Sequence, residues 1–301
     1  MNIATVPESI ISRAVQGSTG GRSIGALLMD AGRLTTEAAE RILRLQKDKG
    51  LRFGEAAIEL GLLTEHDIQF ALSRQFEYPY LMPGDDSVSE EVIAAFKPFS
   101  PAVERLRALR SQLMLRCFDL DAASRNDNHS LAIVSPDEGE GRSFLAANLA
   151  VVFSQLGERT LLIDADLRRP RQHELFRLGK RPGLSALLSD RADTEATIVR
   201  VPHLRGLSVL PAGAVPPNPQ ELLSRPSFSN LLYGARERFD VVLIDTPAGS
   251  RCADAETIAP RAGAALAIGR RHFTSTSRLR TLVDSLRQAG SPVVGTVLND
   301  F

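Results

Sequence analysis

The stretch LAIVSPDEGEGRSF, residues 131–144, decides the fold of the larger part of this chain. An apolar run typical of a β-strand enters a short glycine-rich turn, and an alanine- and leucine-rich helix pattern leaves it at Ser143. In such a turn, glycines let backbone N–H groups approach a phosphate, and the start of the helix adds its positive dipole end. The sequence therefore predicts a phosphate-binding loop, whose contacts would be Gly139, Glu140, Gly141, Arg142, Ser143 and Phe144.

Two positions depart from the G-x-x-x-x-G-K-[ST] pattern that is common in loops of this kind. Pro136 replaces the first glycine, and Arg142 replaces the lysine. Arginine keeps the positive charge and can bind a phosphate through two N–H groups, but it is bulkier than lysine. We expect Arg142 to stabilise the transferring phosphoryl group and Ser143 to hold Mg²⁺.

Two further apolar runs end in carboxylates. The first ends at Asp164 and continues to Asp166, which lies on the same strand face because side chains alternate with a period of two. The second ends at Asp245. Continuous apolar runs of this length are typical of parallel strands covered by helices, and such sheets bind ligands at the carboxyl ends of their strands. The sequence thus predicts an α/β fold with a mostly parallel sheet, helices on both faces and three carboxylates facing the loop.

The chain from about residue 100 onward resembles the bacterial tyrosine kinases that govern polysaccharide chain length, which are P-loop proteins related to the Min and Par ATPases. The resemblance depends on the loop at 135–143, the D-x-D-x-R motif at 164–168 and the strand ending Ile244-Asp245-Thr246-Pro247. The string Leu210-Pro211-Ala212-Gly213, followed by Pro216-Pro217-Asn218-Pro219-Gln220-Glu221-Leu222-Leu223, is a more specific mark of this family.

This resemblance implies ATP and Mg²⁺ as cofactors and phosphoryl transfer as the reaction. Ser143, Asp245 and Asp164 would hold the metal, directly or through water. Asp164 is the candidate acceptor of the proton from an incoming tyrosine or water, with Asp166 in support, and these two roles could be exchanged. Asn299 matches the family position near the adenine base.

A second family mark precedes the loop. Glu104, Arg107 and Arg110 recur every three residues, so they lie along one side of a predicted helix. In the family an E-x-x-R-x-x-R helix pairs neighbouring subunits, so the resemblance implies self-association into a ring or dimer. The alternative is a solvated helix face with weak salt bridges.

Family members commonly carry a tail of several tyrosines that they phosphorylate, whereas the tyrosines of this sequence are Tyr78, Tyr80 and Tyr233. We therefore expect a tyrosine substrate to be one of these three or to lie on a partner. Two hypotheses follow. The first is a tyrosine kinase that works with a membrane chain-length determinant, a polysaccharide co-polymerase. The second is a nucleotide-switched regulatory ATPase that transfers little phosphate, which Arg142 favours.

The amino-acid composition limits which classes of partner and which cell compartment are expected. With 36 acidic and 36 basic residues and no long basic block, the chain has no net field to attract nucleic acid, so no nucleic-acid partner is expected. Cys117 and Cys252 lack the spacing of a zinc site or a disulfide framework, which favours a reducing, cytoplasmic compartment. No run is apolar enough to span a bilayer. We expect a cytoplasmic protein held at the inner membrane by a partner.

An internal repeat organises the N-terminal part. Residues 23–46 align with 52–75, and each unit is predicted to contain a short helix ending at Gly32 or Gly61 and a second helix capped by Thr35 or Thr64. The predicted organisation is a flexible N-terminus at 1–20, a small helical domain at 21–81, a linker at 82–100 rich in Pro, Gly and Asp, and the P-loop kinase-like domain at 101–301.

The repeat resembles the N-terminal domain of type II secretion and pilus-assembly ATPases. Some members of that family bind cyclic di-GMP through an R-L-G-type start to each repeat. The second repeat supplies Arg52 and Gly54 at this position, but the first repeat begins Ser23-Ile24-Gly25 without the arginine. If the ligand binds, the contacts would be Arg52, Gly54, Leu62 and Leu63; the alternative is a structural or partner-docking module.

Overall fold

The computed structural model describes residues 23–75, 79–82, 84–118 and 130–300. The chain divides into two compact units, Met1–Met82 and Pro83–Phe301. The flexible N-terminus predicted at residues 1–20 lies outside the described residues, as does Tyr78. In the part of the chain that is described, no helix has both the length and the apolarity to cross a bilayer.

The first unit consists of two helix pairs that follow the sequence repeat, and the helices are α1 (Ile24–Asp30), α2 (Thr36–Lys49), α3 (Phe53–Glu59) and α4 (Glu65–Gln75). Thr35 caps α2 by accepting a hydrogen bond from the N–H of Ala38 at 3.2 Å. Gly32 and Gly61, which follow the first helix of each pair, adopt φ of 68° and 63°. The two predicted helical units are present.

The glycines that open the two repeats lie where helices pack closely. A Cβ on Gly25 would approach the ring of Phe53 to 3.2 Å, and a Cβ on Gly54 would approach the side chain of Ile68 to 3.3 Å. Both distances are tighter than ordinary van der Waals contact. Close packing is therefore one reason for a glycine at each of these positions.

The second unit contains a sheet whose strands, within the described residues, are β1 (Ser130–Val134), β2 (Thr160–Asp164), β3 (Val199–Arg200), β4 (Leu207–Leu210), β5 (Val241–Asp245), β6 (Ala265–Arg270) and β7 (Val293–Asn299). The spatial order is β3-β4-β2-β5-β1-β6-β7. All neighbours are parallel except β3 and β4. The predicted mostly parallel sheet is confirmed.

Helices accompany this sheet along the chain, namely α5 (Ile93–Phe96), α6 (Pro101–Leu113), α7 (Arg142–Leu156), α8 (Gln172–Leu175), α9 (Leu184–Leu187), α10 (Thr194–Thr197), α11 (Pro219–Ser224), α12 (Pro226–Arg238), α13 (Asp254–Ala262) and α14 (Thr276–Gln288). A π-helical turn, Met114–Phe118, extends α6. The inner strands β1, β2 and β5 are fully buried along their length. Helix α7, which leaves the glycine-rich loop, is buried from Leu145 to Ser154.

The segment predicted as a linker, residues 82–100, differs from that expectation. Asn148 on α7 is fully buried, accepts a hydrogen bond from the N–H of Ala94 at 2.9 Å and donates one to the carbonyl of Glu91 at 3.1 Å. Val88 and Val92 are also fully buried. Side chains distant in sequence therefore hold the Pro- and Asp-rich segment against the second unit.

The family string at 210–213 has a structural explanation. A Cβ on Gly183 would lie 2.1 Å from the carbonyl oxygen of Pro211, and Gly213 has a φ of 79°. The N–H of Leu184 donates to Pro211 at 2.8 Å, and the N–H of Ser185 donates to the carbonyl of Ala212 at 2.9 Å. The string thus lets two backbone segments lie against each other at the end of β4.

Candidate active site

The glycine-rich loop connects β1 to α7 with the conformation that the sequence predicts. Gly139 and Gly141 have φ of 74° and 93°, in the left-handed region that favours glycine. Gly141 is the residue immediately before α7, so the first N–H groups of that helix face the loop. These groups and the helix dipole are suited to bind an anion.

Arg142 is more deeply held by the protein than the sequence suggests. Its side chain is only 8% exposed. Its Nε donates to the carbonyl of Thr246 at 2.8 Å, and one terminal nitrogen donates to the carbonyl of Asp137 at 2.7 Å and to the hydroxyl of Ser135. The guanidinium therefore connects the two ends of the loop to the end of β5, and it also lines the open cleft beside the loop.

Glu140 lies inside the loop as a fully buried carboxylate. It accepts a hydrogen bond from the N–H of Asp137 at 2.7 Å and another from the hydroxyl of Thr274. The side-chain amide of Asn299 donates to the carbonyl of Glu140 at 3.0 Å. Asn299 thus lies at the loop and supports it from β7.

Asp164 and Asp245 end neighbouring parallel strands and are paired in register. Both are fully buried. Burial, followed by repulsion from Asp245, raises the pKa of Asp164 well above its usual range. Burial raises the pKa of Asp245 to about 6, against the lowering effects of Gln172, Ser143 and the charge of Arg142. Two buried carboxylates side by side are costly unless a cation or a proton compensates them.

One oxygen of each carboxylate is held by the protein and the other is not. Asp164 Oδ2 accepts from the N–H groups of Arg171 at 3.1 Å and Gln172 at 2.9 Å, and Asp245 Oδ2 accepts from the Gln172 side chain at 2.8 Å. Asp164 Oδ1 and Asp245 Oδ1 are buried and have no partner among the described residues. Two unpartnered anionic oxygens at the edge of a phosphate loop are the ligands that Mg²⁺ prefers.

Ser143, the second residue of α7, lies beside this arrangement, and interaction with its side chain lowers the pKa of Asp245. The described residues contain no cluster of three or more His, Cys, Asp or Glu side chains with the geometry of a metal site. A magnesium ion here would therefore take its other ligands from Ser143, the phosphates of a nucleotide and water. The residues fit the ion that the sequence predicts.

Asp166 occupies a different place from Asp164. Its Oδ1 accepts hydrogen bonds from the N–H groups of Arg168 at 3.1 Å and Arg169 at 2.8 Å, which shapes the turn after β2. Asp166 lines the cleft. Arg168 pairs with the fully buried Asp254, with N–O distances of 2.9 and 3.0 Å. The D-x-D-x-R motif therefore combines one interior carboxylate, one carboxylate at the cleft and one anchoring arginine.

The cleft itself has a volume of about 1890 Å³ and runs from the loop to α6 and the end of β7. Phe144 and Asn299, both predicted contacts of the nucleotide, line it. At its rim Glu138 pairs with Arg169 at 2.8 Å and with Arg251 at 3.3 Å. Pockets for a single small ligand usually measure about 300–1,000 Å³, so the cleft has room for more than a nucleotide.

The three residues predicted for self-association lie on α6 and differ in their contacts. Arg107 pairs with Glu104 at 2.9 Å, and the Glu104 side chain is 70% exposed. Arg110 donates to the carbonyl of Val152 at 2.9 Å, so it ties α6 to α7 within the chain. The three residues share a helix, but Arg110 has a role inside the subunit that the spacing did not indicate.

Sequence reasoning missed two contributors to the site. Gln172, at the start of α8, contacts both strand-end carboxylates. Thr246, directly after Asp245, accepts from Arg142 through its carbonyl and donates from its hydroxyl to the carbonyl of Ile133 at 2.7 Å. Gln172 belongs to no motif with a recognised spacing, and the string that contains Thr246 does not indicate these contacts, because both residues act between segments that are distant in sequence.

A glycine-rich loop at a helix N-terminus, facing two buried carboxylates at adjacent strand ends, defines a P-loop nucleotide-binding domain. The model of the CobQ/CobB/MinD/ParA nucleotide binding domain matches residues 131–301. This match covers more than half of the chain, and the chain belongs to that family.

Relatives of the second unit include bacterial tyrosine kinases. The chain is 39% identical over 200 residues to the tyrosine-protein kinase ptk of Acinetobacter johnsonii, covering 66% of this chain and 26% of ptk. It is 33% identical over 203 residues to CapB of Staphylococcus aureus, covering 67% of this chain and 86% of CapB. This chain thus spans about a quarter of the length of ptk and of similarly long relatives.

Among solved structures, the kinase domain of the Escherichia coli tyrosine kinase ETK superposes with a TM-score of 0.64 at 32% identity. The match covers 69% of this chain and 79% of that domain. The likeness in sequence and in fold therefore extends over most of a kinase domain, beyond the phosphate loop alone.

Proposed function

We propose that this chain is an ATP- and Mg²⁺-dependent protein tyrosine kinase that acts in exopolysaccharide chain-length control and export. The observation that carries the proposal is the pair Asp164 and Asp245, which are buried and paired in register, with one oxygen on each carboxylate that has no partner among the described residues. A cation would compensate the charge of this pair, and the adjacent loop offers N–H groups to the phosphates that would accompany it. The similarity to ptk and to the ETK kinase domain supports transfer to tyrosine.

The proposed roles follow from burial. Ser143, Asp245 and Asp164 would hold Mg²⁺, directly or through water, and the ion would neutralise charge on the phosphates. Asp166 lines the cleft whereas Asp164 is fully buried, which favours Asp166 as the acceptor of the tyrosine proton and Asp164 as metal support. This assignment is the reverse of the sequence-based expectation, in which Asp164 accepts the proton and Asp166 supports it. Arg142 keeps a positive charge at the base of the loop.

The proposed partners are a membrane chain-length determinant, which would hold the protein at the inner membrane, and other copies of this chain. Glu104, whose side chain is 70% exposed, pairs with the partly buried Arg107 on α6 and offers a charged contact for self-association. Analytical ultracentrifugation tests this part of the proposal. Glu104→Gln combined with Arg107→Gln should lower the oligomeric state, and an unchanged distribution would exclude α6 as the interface.

Labelled ATP tests the kinase directly. The protein is incubated with γ-labelled ATP and Mg²⁺, alone and with the cytoplasmic part of the membrane partner, and labelled residues are mapped. Label on tyrosine that disappears in Asp164→Asn supports the proposal. Asp190→Asn is a matched control, because Asp190 is exposed and has a φ of 56°, a conformation that asparagine also adopts. If no tyrosine is labelled, either in the protein alone or in the presence of the membrane partner, the kinase proposal is contradicted.

A nucleotide-switched regulatory ATPase is the second candidate, and the contacts of Arg142 favour it. Three protein acceptors engage the guanidinium, so the charge is partly committed to holding the loop. The same labelling experiment separates the two candidates. Tight Mg²⁺-dependent ATP binding with no transfer to any tyrosine supports the switch.

Cyclic di-GMP binding by the first unit is a separate proposal. Arg52 precedes α3 and is partly exposed, and Leu62 is half-buried, so both are accessible to a ligand. Leu63 is only 5% exposed, and Gly54 packs against Ile68, which gives both residues a role in the helical core. Calorimetric titration of the full chain with cyclic di-GMP, compared with Arg52→Ala, tests it. No heat from the unmodified protein excludes this ligand.

A further inference from the structure

We propose that Gln172 is a positioning residue of the magnesium site. Its side-chain nitrogen and backbone N–H hold the Asp245 and Asp164 carboxylates, and its side-chain oxygen accepts a hydrogen bond from a water molecule bound to the ion. This inference rests on the proposed binding of a nucleotide with Mg²⁺. It adds a residue that no sequence motif of the chain identifies.

The geometry of Gln172 fixes the orientation of its amide. The side-chain Nε2 donates to Asp245 Oδ2 at 2.8 Å and to the carbonyl of Ser143 at 3.1 Å. Both partners can only accept, so the nitrogen must face them and Oε1 must face another direction. The backbone N–H of the same residue donates to Asp164 Oδ2 at 2.9 Å. Gln172 therefore holds the Oδ2 atom of both carboxylates.

The side-chain oxygen of Gln172 is buried without a hydrogen-bond partner among the described residues, which indicates that another molecule binds it. Gln172 is fully buried, and its Oε1 has no hydrogen-bond partner among the described residues. Asp164 Oδ1 and Asp245 Oδ1 are also buried and have no hydrogen-bond partner among the described residues. Buried polar groups in folded proteins are nearly always paired, so three unpartnered acceptors on residues in mutual contact require an external donor.

A hydrated magnesium ion meets this requirement better than a water molecule alone. Mg²⁺ keeps several of its waters when it binds a protein, and each of these waters donates hydrogen bonds. The ion also supplies the positive charge that two adjacent buried carboxylates need. A glutamine is suited to this position because its amide can donate to a carboxylate and accept from a metal-bound water at the same time. Glutamate could not donate in this way.

Magnesium-linked nucleotide binding tests the inference. A fluorescent ADP analogue is titrated into the full chain in EDTA and at increasing Mg²⁺, which gives the affinity without metal and the Mg²⁺ concentration at half-effect. In Gln172→Met we expect this concentration to rise about tenfold or more, as for other residues that orient metal ligands. The affinity measured in EDTA should stay within about twofold, because Gln172 contacts the loop only at the carbonyl of Ser143 and the substitution leaves the N–H donors of the loop in place.

Gln155→Met is the matched control. Gln155 lies near the end of α7 that is distant from the loop, and it donates from its side-chain amide to the carbonyl of Ala94 at 3.0 Å. It should leave the Mg²⁺ midpoint unchanged. If Gln172→Met does not fold, Gln172→Asn replaces it, since the shorter amide cannot span Ser143 and Asp245, and the midpoint should rise severalfold.

An unchanged Mg²⁺ midpoint in the folded variant would overturn the inference. An equal loss of affinity in EDTA and in Mg²⁺ would also overturn it, because that result indicates a purely structural glutamine. These outcomes differ from failure of the proposed function, in which the unmodified protein itself would bind the nucleotide without any effect of Mg²⁺.

Discussion

The phosphate loop and the carboxylate pair lie side by side, but they differ in how far the protein satisfies their polar groups. In the loop, Arg142 has three protein acceptors and the buried Glu140 has two protein donors. In the carboxylate pair, Asp164 and Asp245 each keep a buried oxygen without a partner among the described residues. The folded chain itself satisfies the polar groups of the loop, whereas each carboxylate of the pair keeps one oxygen that a cation or a proton would satisfy.

This difference separates two kinds of site residue. Substitutions in the loop should act mainly on stability, because they remove hydrogen bonds that the folded chain makes by itself. Substitutions in the pair should act mainly on function, because they remove a charge whose burial disfavours the folded state without the ion. Stability and activity are then expected to change in opposite directions at the carboxylates.

The largest effect is expected for Asp245→Asn. Phosphoryl transfer should fall at least about 100-fold, because the bound ion supplies several kcal/mol of charge stabilisation. The metal-free protein should become more stable by about 1–3 kcal/mol, since a buried charge with a raised pKa is removed. Transfer assays and urea denaturation in EDTA measure the two quantities. A variant that is both inactive and less stable would show that the pair is structural.

Arg142→Ala should have the largest effect on stability. It removes three hydrogen bonds from a nearly buried cation, and we expect the free energy of unfolding to fall by about 3 kcal/mol. Arg142→Lys keeps the charge with fewer donors and should cost about 1 kcal/mol. Urea denaturation checks both values. Full stability in the alanine variant, with weakened nucleotide binding, would place Arg142 among the functional residues instead.

Asn299→Ala should have a smaller effect of the same kind. The substitution removes one hydrogen bond, from the side-chain amide to the carbonyl of Glu140, and should cost about 1 kcal/mol of stability. Nucleotide affinity should fall only severalfold, as measured with a fluorescent ADP analogue. A loss of binding without any loss of stability would indicate that Asn299 contacts the base and does not support the loop.

The smallest effect is expected at the rim of the cleft. Glu138 pairs with Arg169 and Arg251, whose side chains are 68% and 61% exposed. Exposed ion pairs contribute little, so Glu138→Gln should change stability by less than about 0.5 kcal/mol. Thermal unfolding at low and high salt measures this. A change above about 1 kcal/mol would mean that the rim residues, like those of the loop, contribute to the stability of the folded chain.

The sequence predicted the parts of the site that depend on local pattern. The apolar runs ending at Asp164 and Asp245 were sufficient to predict parallel strands whose carboxyl ends meet, and the structure pairs these two residues in register. Gly139 and Gly141 likewise occupy left-handed positions in a turn before a helix. In each case the information lies within a few residues of the feature.

Contacts across the fold could not be predicted in the same way. Gln172 is one of many glutamines by pattern, and only the proximity of β2 and β5 gives it two carboxylates to hold. The segment at 82–100 contains linker-like residues, but the buried Asn148 fixes it through hydrogen bonds across more than 50 positions. The spacing places Arg110 on the same side of a helix as Glu104 and Arg107, and the structure adds an acceptor on α7 that the spacing does not indicate.

The central claim is that the carboxylate pair is completed by a magnesium ion held with a nucleotide. Isothermal titration of the full chain with ADP, in Mg²⁺ and in EDTA, tests this most directly. We predict binding that is at least about tenfold tighter with Mg²⁺, and the loss of this difference in Asp245→Asn. Equal affinity in Mg²⁺ and EDTA, or no binding at all, would contradict the account.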